Sequence, residues 1–450
     1  MTKGKRTKAL SRHTILNTSL LAATALVAAF SSGAFAASNA VIDANAAAGV
    51  AATKACIAPL DNPFHESHAY AMMHLAIHDA LNAIDRKYEP YAYDQKADPG
   101  TSPDAAVAAA AHDVLVPLIK QLPADLLKAG CIDAGVAAAD AAYTAALANV
   151  PNGPAKTQGV AVGQAAATAI LAKRAADNST KGPFLKKNCP PVGQPGAYQC
   201  TPERPFVAFE AWANVTPFVL RDNTQFRPGP PYAVTDAKFK ADLDEVKSLG
   251  GDNKTTPSAR TSDQSQIALF WMESSPLKWN RIARTVATDK GLDVWQSARL
   301  FAILDMALAD GYVAMSASKN HYNFWRPVTA IRSNGDASWT PFQITPPNQD
   351  YPSGHSIEGG AGAEVLKQLF GTDQVGFKDC GAKLPDGTTC YDTTPVLRSF
   401  SSFTQAADEN AYSRVLIGFH FRNATAEGTA YGRKIGERAS TLLQPMNKSP

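Results

Sequence analysis

Apolar residues recur at helical spacing over most of the chain. Between Ala69 and Ile84 they stand three and four positions apart, which predicts a helix with a buried face. The alanine-dominated stretch from 105 to 172 also favours helix. The helical pattern resumes at Asp236 and continues through three later stretches, 267–272, 280–286 and 297–317. The alternation typical of strands is scarce, so the sequence predicts an all-α protein.

Residues 181–235 interrupt the helical pattern. They hold ten of the chain's 30 prolines together with Cys189 and Cys200. That composition predicts a long irregular crossover. We therefore expect two packed helical bundles, residues 37–180 and residues 236–445, joined by this crossover.

The first 36 residues have the pattern of an export signal. Five lysines and arginines in a segment without acids are followed by the apolar run Ile15–Phe30 and by Ala34-Phe35-Ala36. Signal peptidase cuts after such a small-x-small pattern. We expect residues 1–36 to be a signal peptide and the mature protein to be exported, either periplasmic or secreted. No later stretch is expected to be long and apolar enough to span a membrane.

Composition and charge narrow the classes of function. With 450 residues, 45% of them hydrophobic and 18% charged, the chain can form a large core and is not of the disordered type. The formal net charge of +3 becomes −2 once the first 36 residues are removed. A mature protein so close to neutral argues against general nucleic-acid binding.

Six cysteines lie beyond the expected cleavage site, an even number suited to an oxidising compartment. Fifteen pairings are possible by counting alone. The economical pairing closes two short loops and leaves one long one. It joins Cys189 to Cys200, Cys380 to Cys390 and Cys56 to Cys131. No two cysteines have the tight spacing of zinc ligands.

Four histidines cluster in the first half, and two of them, His74 and His78, stand at i, i+4. That spacing suits paired metal ligands on a helix, but Leu75 stands where a zinc protease motif has its glutamate. Among apolar helical positions, hydrogen-bonded core histidines are the favoured interpretation.

Three segments of the second half carry the candidate chemistry. In the first, Lys319 and Arg326 lie seven residues apart and would share one face of a helix. Pro327 is expected to end or kink that helix. Two charges alone would also fit an ordinary exposed basic face.

The second segment, Tyr351-Pro352-Ser353-Gly354-His355, precedes a helix predicted for residues 356–370. Ser353 is a good N-cap, and Gly354 leaves a backbone N–H unobstructed at the positive end of the helix. Such a helix start suits an oxyanion, and His355 stands where it could exchange a proton with a bound group.

The third segment runs from Ser413 to His420. If it is one helix, Ser413 and His420 lie seven residues apart and share one face. Arg414 is long enough to fold toward the same pocket. Gly418 costs such a helix roughly 1 kcal/mol relative to alanine, which indicates that the position needs space or a close backbone approach.

Together the segments supply three cations, two neutral donors and two histidines: Lys319, Arg326, Arg414, Ser353, Gly354, His355 and His420. Several cations around neutral donors suit a tetrahedral oxyanion such as phosphate or vanadate, whose charge is spread over its oxygens. One histidine can attack or ligate the central atom while the other handles the proton.

The order Lys-x6-Arg-Pro, Pro-Ser-Gly-His, Ser-Arg-x5-His resembles the superfamily of vanadium-dependent haloperoxidases and type 2 phosphatidic acid phosphatases. The residues in and around these motifs are most similar to those of the bacterial haloperoxidase-like branch of this superfamily. The similar segments are Lys319–Arg332, Thr345–Ser356, Ser413–Arg422 and Trp212–Pro231.

The resemblance implies two helical bundles with an anion held in the second. It implies that Lys319, Arg326, Ser353, Gly354 and Arg414 hold vanadate oxygens. His420 would be the axial vanadium ligand and His355 the acid–base residue. The implied activity is oxidation of halide by hydrogen peroxide, with an organic acceptor for the product.

The same pocket supports a second chemistry. With phosphate in place of vanadate, His420 becomes the nucleophile that forms a phosphohistidine, and His355 protonates the leaving alcohol of a phosphate ester. A soluble exported acid phosphatase is therefore the alternative function.

Two positions depart from the pattern of the superfamily. Ala424 replaces an aspartate expected four residues after the ligand histidine, where Asn423 or a backbone carbonyl would have to accept from the imidazole instead. Asn348 replaces an aromatic residue or histidine near the halide site. Halide preference and oligomeric state remain open at this point.

Overall fold

A computed structural model describes residue 1 and residues 39–58, 62–123, 127–182, 184–186, 188–381 and 397–446. The predicted signal peptide, apart from residue 1, and Cys390 lie outside the described residues.

Within this part of the chain thirteen α-helices form the protein. They are α1 (Ala40–Lys54), α2 (Pro63–Ile84), α3 (Pro103–Lys120), α4 (Cys131–Ala148), α5 (Pro154–Arg174), α6 (Ala237–Leu249), α7 (Ser262–Phe270), α8 (Ser275–Asp289), α9 (Val294–Tyr322), α10 (Pro327–Ser333), α11 (Gly354–Phe370), α12 (Phe403–Leu416) and α13 (Arg422–Ala439).

Sheet is confined to two small antiparallel pairs in the described part. Strand β1 (Leu185–Lys186) pairs with β2 (Val207–Ala208), and β3 (Phe377–Cys380) pairs with β4 (Leu397–Phe400). The all-α prediction is confirmed. Between α5 and α6 the chain forms β1, β2 and a short 3-10 helix, Glu210–Asn214.

Local sequence signals explain where several helices begin. The Asn62 side chain accepts from the His65 backbone N–H at the start of α2, and Pro63 occupies a first-turn position that needs no donor. At the start of α9, Asp293 and Gln296 form a reciprocal capping box. These caps fix the ends of the two helices on which the interior is built.

Helix α9 is the central element of the fold. Between Ser297 and Lys319 every residue of α9 except Arg299 is buried, and the helix packs against α2 in the first half and against α11 and α13 in the second. One hydrophobic cluster runs from Val41 in α1 to Leu443 after α13. The two halves therefore share a core. The predicted bundle limits at residues 37–180 and 236–445 stay predictions.

Helices α11 and α13 approach each other with little room between their backbones. A Cβ added at Gly432 would lie 1.9 Å from the Ile357 carbonyl oxygen, so this crossing requires glycine. Because α11 begins with the predicted anion-binding segment, the crossing fixes the position of that segment in the interior.

Two of the three predicted disulfides are present. Cys56 pairs with Cys131, and Cys189 pairs with Cys200. The predicted pair Cys380–Cys390 falls partly outside the described residues, because Cys390 is not among them.

The expectation that no later stretch is long and apolar enough to span a membrane is wrong. Cys131–Ala148 and Val294–Tyr322 both reach that length and composition. The apolar window of α9 is completely buried inside the protein, as a core helix should be, whereas only 17% of the window in α4 is buried. The low burial of α4 follows from its alanine content, because alanine raises the mean hydropathy of the helix without supplying large apolar side chains.

The first-half histidines are enclosed in hydrogen-bond networks. His74 Nδ1 lies 2.6 Å from Asp305 Oδ2, and His68 Nε2 lies 2.7 Å from Asp177 Oδ2. Burial lowers the pKa of His65 to about 3 and that of His78 to about 4. Among the described residues no group of three or more His, Cys, Asp or Glu side chains could hold a metal ion. These contacts agree with the interpretation as core histidines.

Candidate active site

Lys319 and Arg326 reach the site from two different elements. Helix α9 ends at Tyr322, where Asn323 takes a left-handed conformation with φ of 46°, and Arg326 is the N-cap of α10. The predicted single helix through both residues is wrong. Pro327 begins a helix here instead of ending one, because the first turn of a helix needs no N–H from that position.

The start of α11 agrees with the sequence. Ser353 is its N-cap, and Gly354 is its first residue. The Ser353 side chain caps no backbone N–H, and its Oγ instead accepts from the Ser356 hydroxyl at 3.0 Å. A Cβ on Gly354 would meet Met315 Sδ at 2.4 Å. The helix start therefore keeps donors for an anion, as helix N-termini do.

His420 lies in a turn and not on a helix with Ser413. Helix α12 ends at Leu416, Gly418 has φ of +84°, and α13 begins at Arg422. The prediction of one helix is wrong, but the inference that Gly418 permits a close approach is right. A Cβ at Gly418 would lie 2.6 Å from the Gly250 carbonyl oxygen.

Asp350 orients the His420 ring. Its Oδ1 lies 2.8 Å from His420 Nδ1, and Arg326 Nη1 donates to His420 Nε2 at 3.0 Å. A guanidinium only donates, so Nε2 carries the lone pair and Nδ1 carries the hydrogen. Neither Asn423 nor a backbone carbonyl takes the orienting position. At Ala424 the backbone carbonyl accepts from Ser353 N at 3.0 Å.

Asp350 is the residue that the sequence reasoning missed. The superfamily pattern places the aspartate four residues after the ligand histidine, whereas Asp350 lies 70 residues before His420 in the chain. A usable signal was present, since Asp350 stands three residues before Ser353 in the anion-binding segment. An acidic residue so close to the anion-binding segment is a candidate to orient one of its histidines.

The His355 ring has the opposite tautomer. Its Nε2 lies 3.2 Å from the Glu273 backbone oxygen. A carbonyl oxygen only accepts, so Nε2 carries the hydrogen and Nδ1 keeps its lone pair. The two histidines thus present differently placed acceptors, Nε2 on His420 and Nδ1 on His355.

Asn348 holds Arg326 in place. Arg326 Nη2 donates to Asn348 Oδ1 at 2.6 Å, and Arg326 Nε donates to the Asn348 backbone oxygen at 2.7 Å. The residue that departs from the superfamily pattern therefore orients one of the three cations.

Three cations lie buried at the site. Lys319, Arg326 and Arg414 are 1–3% exposed. Burial, and then the neighbouring charge of Arg326, lower the pKa of Arg414 to about 9. The pKa of Lys319 is lowered well below its usual value by burial and then by Arg326, against the opposing effect of Asp350.

The same cations keep both histidines neutral. Burial lowers the pKa of His420, and Arg326, Lys319, Arg414 and His355 lower it further. Burial and then Arg414 lower the pKa of His355. Both rings therefore offer lone pairs at neutral pH.

The residues fit a multiply charged oxyanion. Arg414 Nη2 is buried and has no hydrogen-bond partner among the described residues, and Arg414 Nε donates to Ser413 Oγ at 3.0 Å. A buried guanidinium group left without a partner is costly unless a ligand satisfies it. Three cations and a helix start with available donors match vanadate or phosphate.

The fold and the site together define a mostly helical protein whose interior brings three buried cations and two neutral histidines together. The chain is similar to the vanadium-dependent haloperoxidases. Residues 299–448 match the family described as the VCPO second helical-bundle domain. That range contains the three motif segments.

Two curated relatives are haloperoxidases. The chain is 25% identical over 285 residues to vanadium chloroperoxidase from Curvularia inaequalis, a match that covers 49% of this chain and 47% of that protein. It is 28% identical over 180 residues to vanadium-dependent bromoperoxidase from Ascophyllum nodosum, covering 38% of this chain and 30% of that protein. The chain thus spans less than half the length of the curated relatives it matches.

Solved structures match nearly the whole fold. A bacterial vanadium-dependent iodoperoxidase superposes with a TM-score of 0.74 at 26% identity, covering 91% of this chain and 97% of that one. The apo form of a bacterial vanadium-dependent chloroperoxidase gives a TM-score of 0.67 at 14% identity, covering 86% of this chain and 95% of that one. The second match shows a shared fold alone.

Proposed function

We propose that the protein is a vanadium-dependent haloperoxidase that oxidises halide with hydrogen peroxide. One observation carries the proposal: three buried cations surround two neutral histidines whose lone pairs are fixed on different ring nitrogens. The relatives named above support this choice of chemistry.

In this proposal each residue of the site has a distinct role. Bound vanadate would supply an electrophilic centre at which hydrogen peroxide is activated toward halide. His420 Nε2, freed from Arg326, would ligate vanadium, and Lys319, Arg326 and Arg414 would hold its oxygens. Ser353 and the Gly354 N–H would donate to the remaining oxygens. Cations placed around the oxygens stabilise negative charge as it develops there.

His355 would handle the proton. Its Nδ1 lone pair can accept a proton from a bound hydroxyl or peroxide and return it later, while the Glu273 carbonyl holds the opposite nitrogen. This role needs a ring that is neutral at working pH, which burial and Arg414 provide.

Phosphate-ester hydrolysis is the second candidate, because a histidine nitrogen with a lone pair, as on His420 Nε2, can also attack phosphorus. The first experiment is bromination of a dimedone-type substrate by the purified mature protein with bromide and peroxide, with and without orthovanadate. Turnover that depends on vanadate supports the haloperoxidase. If the folded protein binds vanadate but brominates nothing, hydrolysis of a phosphate monoester becomes the better proposal.

Halide choice is tested in the same assay with chloride, bromide and iodide. The curated relatives bear the names of a chloroperoxidase and a bromoperoxidase, and one structural neighbour is an iodoperoxidase. Because Asn348 stands where the superfamily pattern has an aromatic residue or histidine near the halide site, we expect iodide and bromide, which are easier to oxidise, to be used in preference to chloride. Export to the periplasm or medium is part of the proposal, and it is checked by N-terminal sequencing of the mature protein.

A further inference from the structure

Four buried charged residues form a compact network beside His355. Glu273, Lys278, Arg281 and Asp379, here called the charged quartet, are all 1–6% exposed. Lys278 Nζ lies 3.0 Å from Glu273 Oε1 and 2.9 Å from Asp379 Oδ2. Arg281 Nε lies 2.8 Å from Asp379 Oδ1, and Arg281 Nη1 lies 3.2 Å from Glu273 Oε2.

The quartet is balanced, with two cations and two carboxylates that alternate in their contacts. Its cations also donate to the Cys380 backbone oxygen, Lys278 at 2.8 Å and Arg281 at 3.2 Å. The network thus ties α8, which carries both cations, to the end of β3 and to the short connection between α7 and α8. Buried ions need such complete pairing, because a single uncompensated charge is strongly destabilising.

Glu273 connects the quartet to the candidate active site. Its side chain belongs to the quartet, while its backbone oxygen accepts from His355 Nε2 at 3.2 Å. The other His355 contact in the described part, from Asn410 Nδ2 to the His355 backbone oxygen at 2.9 Å, holds the main chain and not the ring. The ring tautomer therefore depends on where the Glu273 carbonyl stands.

We propose that the charged quartet positions the Glu273 carbonyl and so fixes the tautomer and orientation of His355. Asp379 is the positioning residue that makes this testable, because it contacts both cations and does not touch the anion pocket residues. The inference rests on the proposed acid–base function of His355, and it explains why an electroneutral ion network is buried on this side of the site.

The first test is Asp379→Asn in the full mature chain. Asparagine offers one neutral acceptor where two cations need two charged ones, so the Glu273 segment should shift. We expect the kcat for halogenation to fall about tenfold or more, since acid–base catalysis by a histidine contributes at least that much. Vanadate affinity should stay within about twofold, and the pH profile of kcat should move.

A matched control is Asp177→Asn. Asp177 is 5% exposed and accepts from His68 Nε2 at 2.7 Å and from Arg174 Nε at 3.0 Å, in the first half of the chain. It is as buried and as charged as Asp379 but has no contact that leads to His355. Its substitution should reduce stability and leave the pH profile of kcat unchanged.

The second test reads the tautomer directly. ¹⁵N chemical shifts of the imidazole nitrogens in histidine-labelled protein should show His355 wholly as the Nε2–H form in the natural chain and as a mixture in Asp379→Asn. An unchanged tautomer together with an unchanged pH profile would overturn the proposal. This readout needs no halogenation, so a failure of the proposed function and a failure of the positioning role give different results.

If Asp379→Asn does not fold, the double variant Lys278→Met, Asp379→Asn removes one charge of each sign and keeps Glu273 paired with Arg281. We expect the same tautomer mixture, since Glu273 loses one of its two cationic partners.

A double-mutant cycle completes the design: in a His355→Ala background, the quartet variant should cause no further loss of kcat. A further loss as large as in the natural chain would show a structural role only.

Discussion

At the scale of single residues, the site depends on how each histidine is held. His420 donates to Asp350 from Nδ1, and His355 donates to the Glu273 carbonyl from Nε2. One ring therefore offers Nε2 and the other offers Nδ1. A partner on the second ring nitrogen fixes which nitrogen is available for a ligand or a proton, and it also sets the basicity of the ring.

Asp350→Ala should weaken vanadate binding about 10- to 100-fold, because the ligand histidine loses the acceptor that orients it. Phosphate held by charge alone should bind at least as tightly as before, since the substitution removes a negative group from beside Arg326 and Lys319. Calorimetric titration of both anions measures the two effects. Asn423→Ala is the matched control, with both affinities expected within about twofold. Equal weakening of both anions would refute the orienting role.

A buried acid away from the site should make stability depend on pH. Burial raises the pKa of Glu66 to about 8. The pKa of Glu66 is higher in the folded than in the unfolded protein. The protonated carboxyl therefore contributes its full share to the free energy of unfolding below about pH 4.5, and this contribution is lost as the pH rises toward 8.

Glu66→Gln should therefore gain on the natural chain as pH rises. Between pH 5 and pH 8 the difference in free energy of unfolding should change by roughly 3 kcal/mol in favour of the variant, because one pKa unit corresponds to roughly 1.4 kcal/mol. Urea unfolding at several pH values measures this difference. The exposed Glu437, replaced in the same way, should give curves parallel to the natural chain. Parallel curves for Glu66→Gln would show that the acid is already ionised in the folded protein.

At the scale of elements, the sequence located the site residues but not their backbone. The N-cap at Ser353 was predictable because capping is local chemistry. The two seven-residue spacings led to a wrong prediction of continuous helices, because a turn interrupts each of them. Asn323 ends α9 before Arg326, and the turn at Gly418 separates Ser413 from His420. A left-handed turn costs little at asparagine or glycine, so tertiary packing selected it over helix. The Asp350 and Glu273 contacts span 70 and 82 positions and leave no mark in local spacing.

The turn at Gly418 is the element on which His420 depends. Gly418→Ala places a Cβ at φ of +84° and 2.6 Å from the Gly250 carbonyl oxygen. We expect a loss of about 2 kcal/mol or more in stability and a loss of vanadate affinity, because the turn cannot keep its course.

Gly291→Ala provides the control for Gly418→Ala. Gly291 has φ of +65° with nothing within 4 Å of the added Cβ. It should cost about 1 kcal/mol from backbone strain alone and leave vanadate affinity intact. Chemical denaturation and anion titration on both variants separate strain from displacement of the site. Equal vanadate affinity in the two variants would mean that Gly418 does not set the position of His420.

At the scale of the whole molecule, the halves are joined by one core. Helix α9 packs against α2 and α11 and carries Lys319 in its last turn before it ends at Tyr322. The larger of two clusters of buried apolar side chains extends over both halves, and the smaller one, which includes Phe324, Val415 and Phe421, lies in the second half. Because contiguous apolar packing makes unfolding cooperative, damage to the first half should reach the site in the second half.

Removal of the Cys56–Cys131 disulfide tests this coupling. The bond joins the chain just after α1 to the start of α4 across 75 residues, whereas Cys189–Cys200 spans 11. Chain entropy predicts a loss of about 4.5 kcal/mol for the double serine variant of the long loop and about 3 kcal/mol for the short one. If the core is shared, the long-loop variant unfolds in one calorimetric transition at a lower temperature, and bound vanadate raises that temperature. Two separate transitions, with vanadate moving only the upper one, would show that the halves unfold independently and that the site does not depend on the first half.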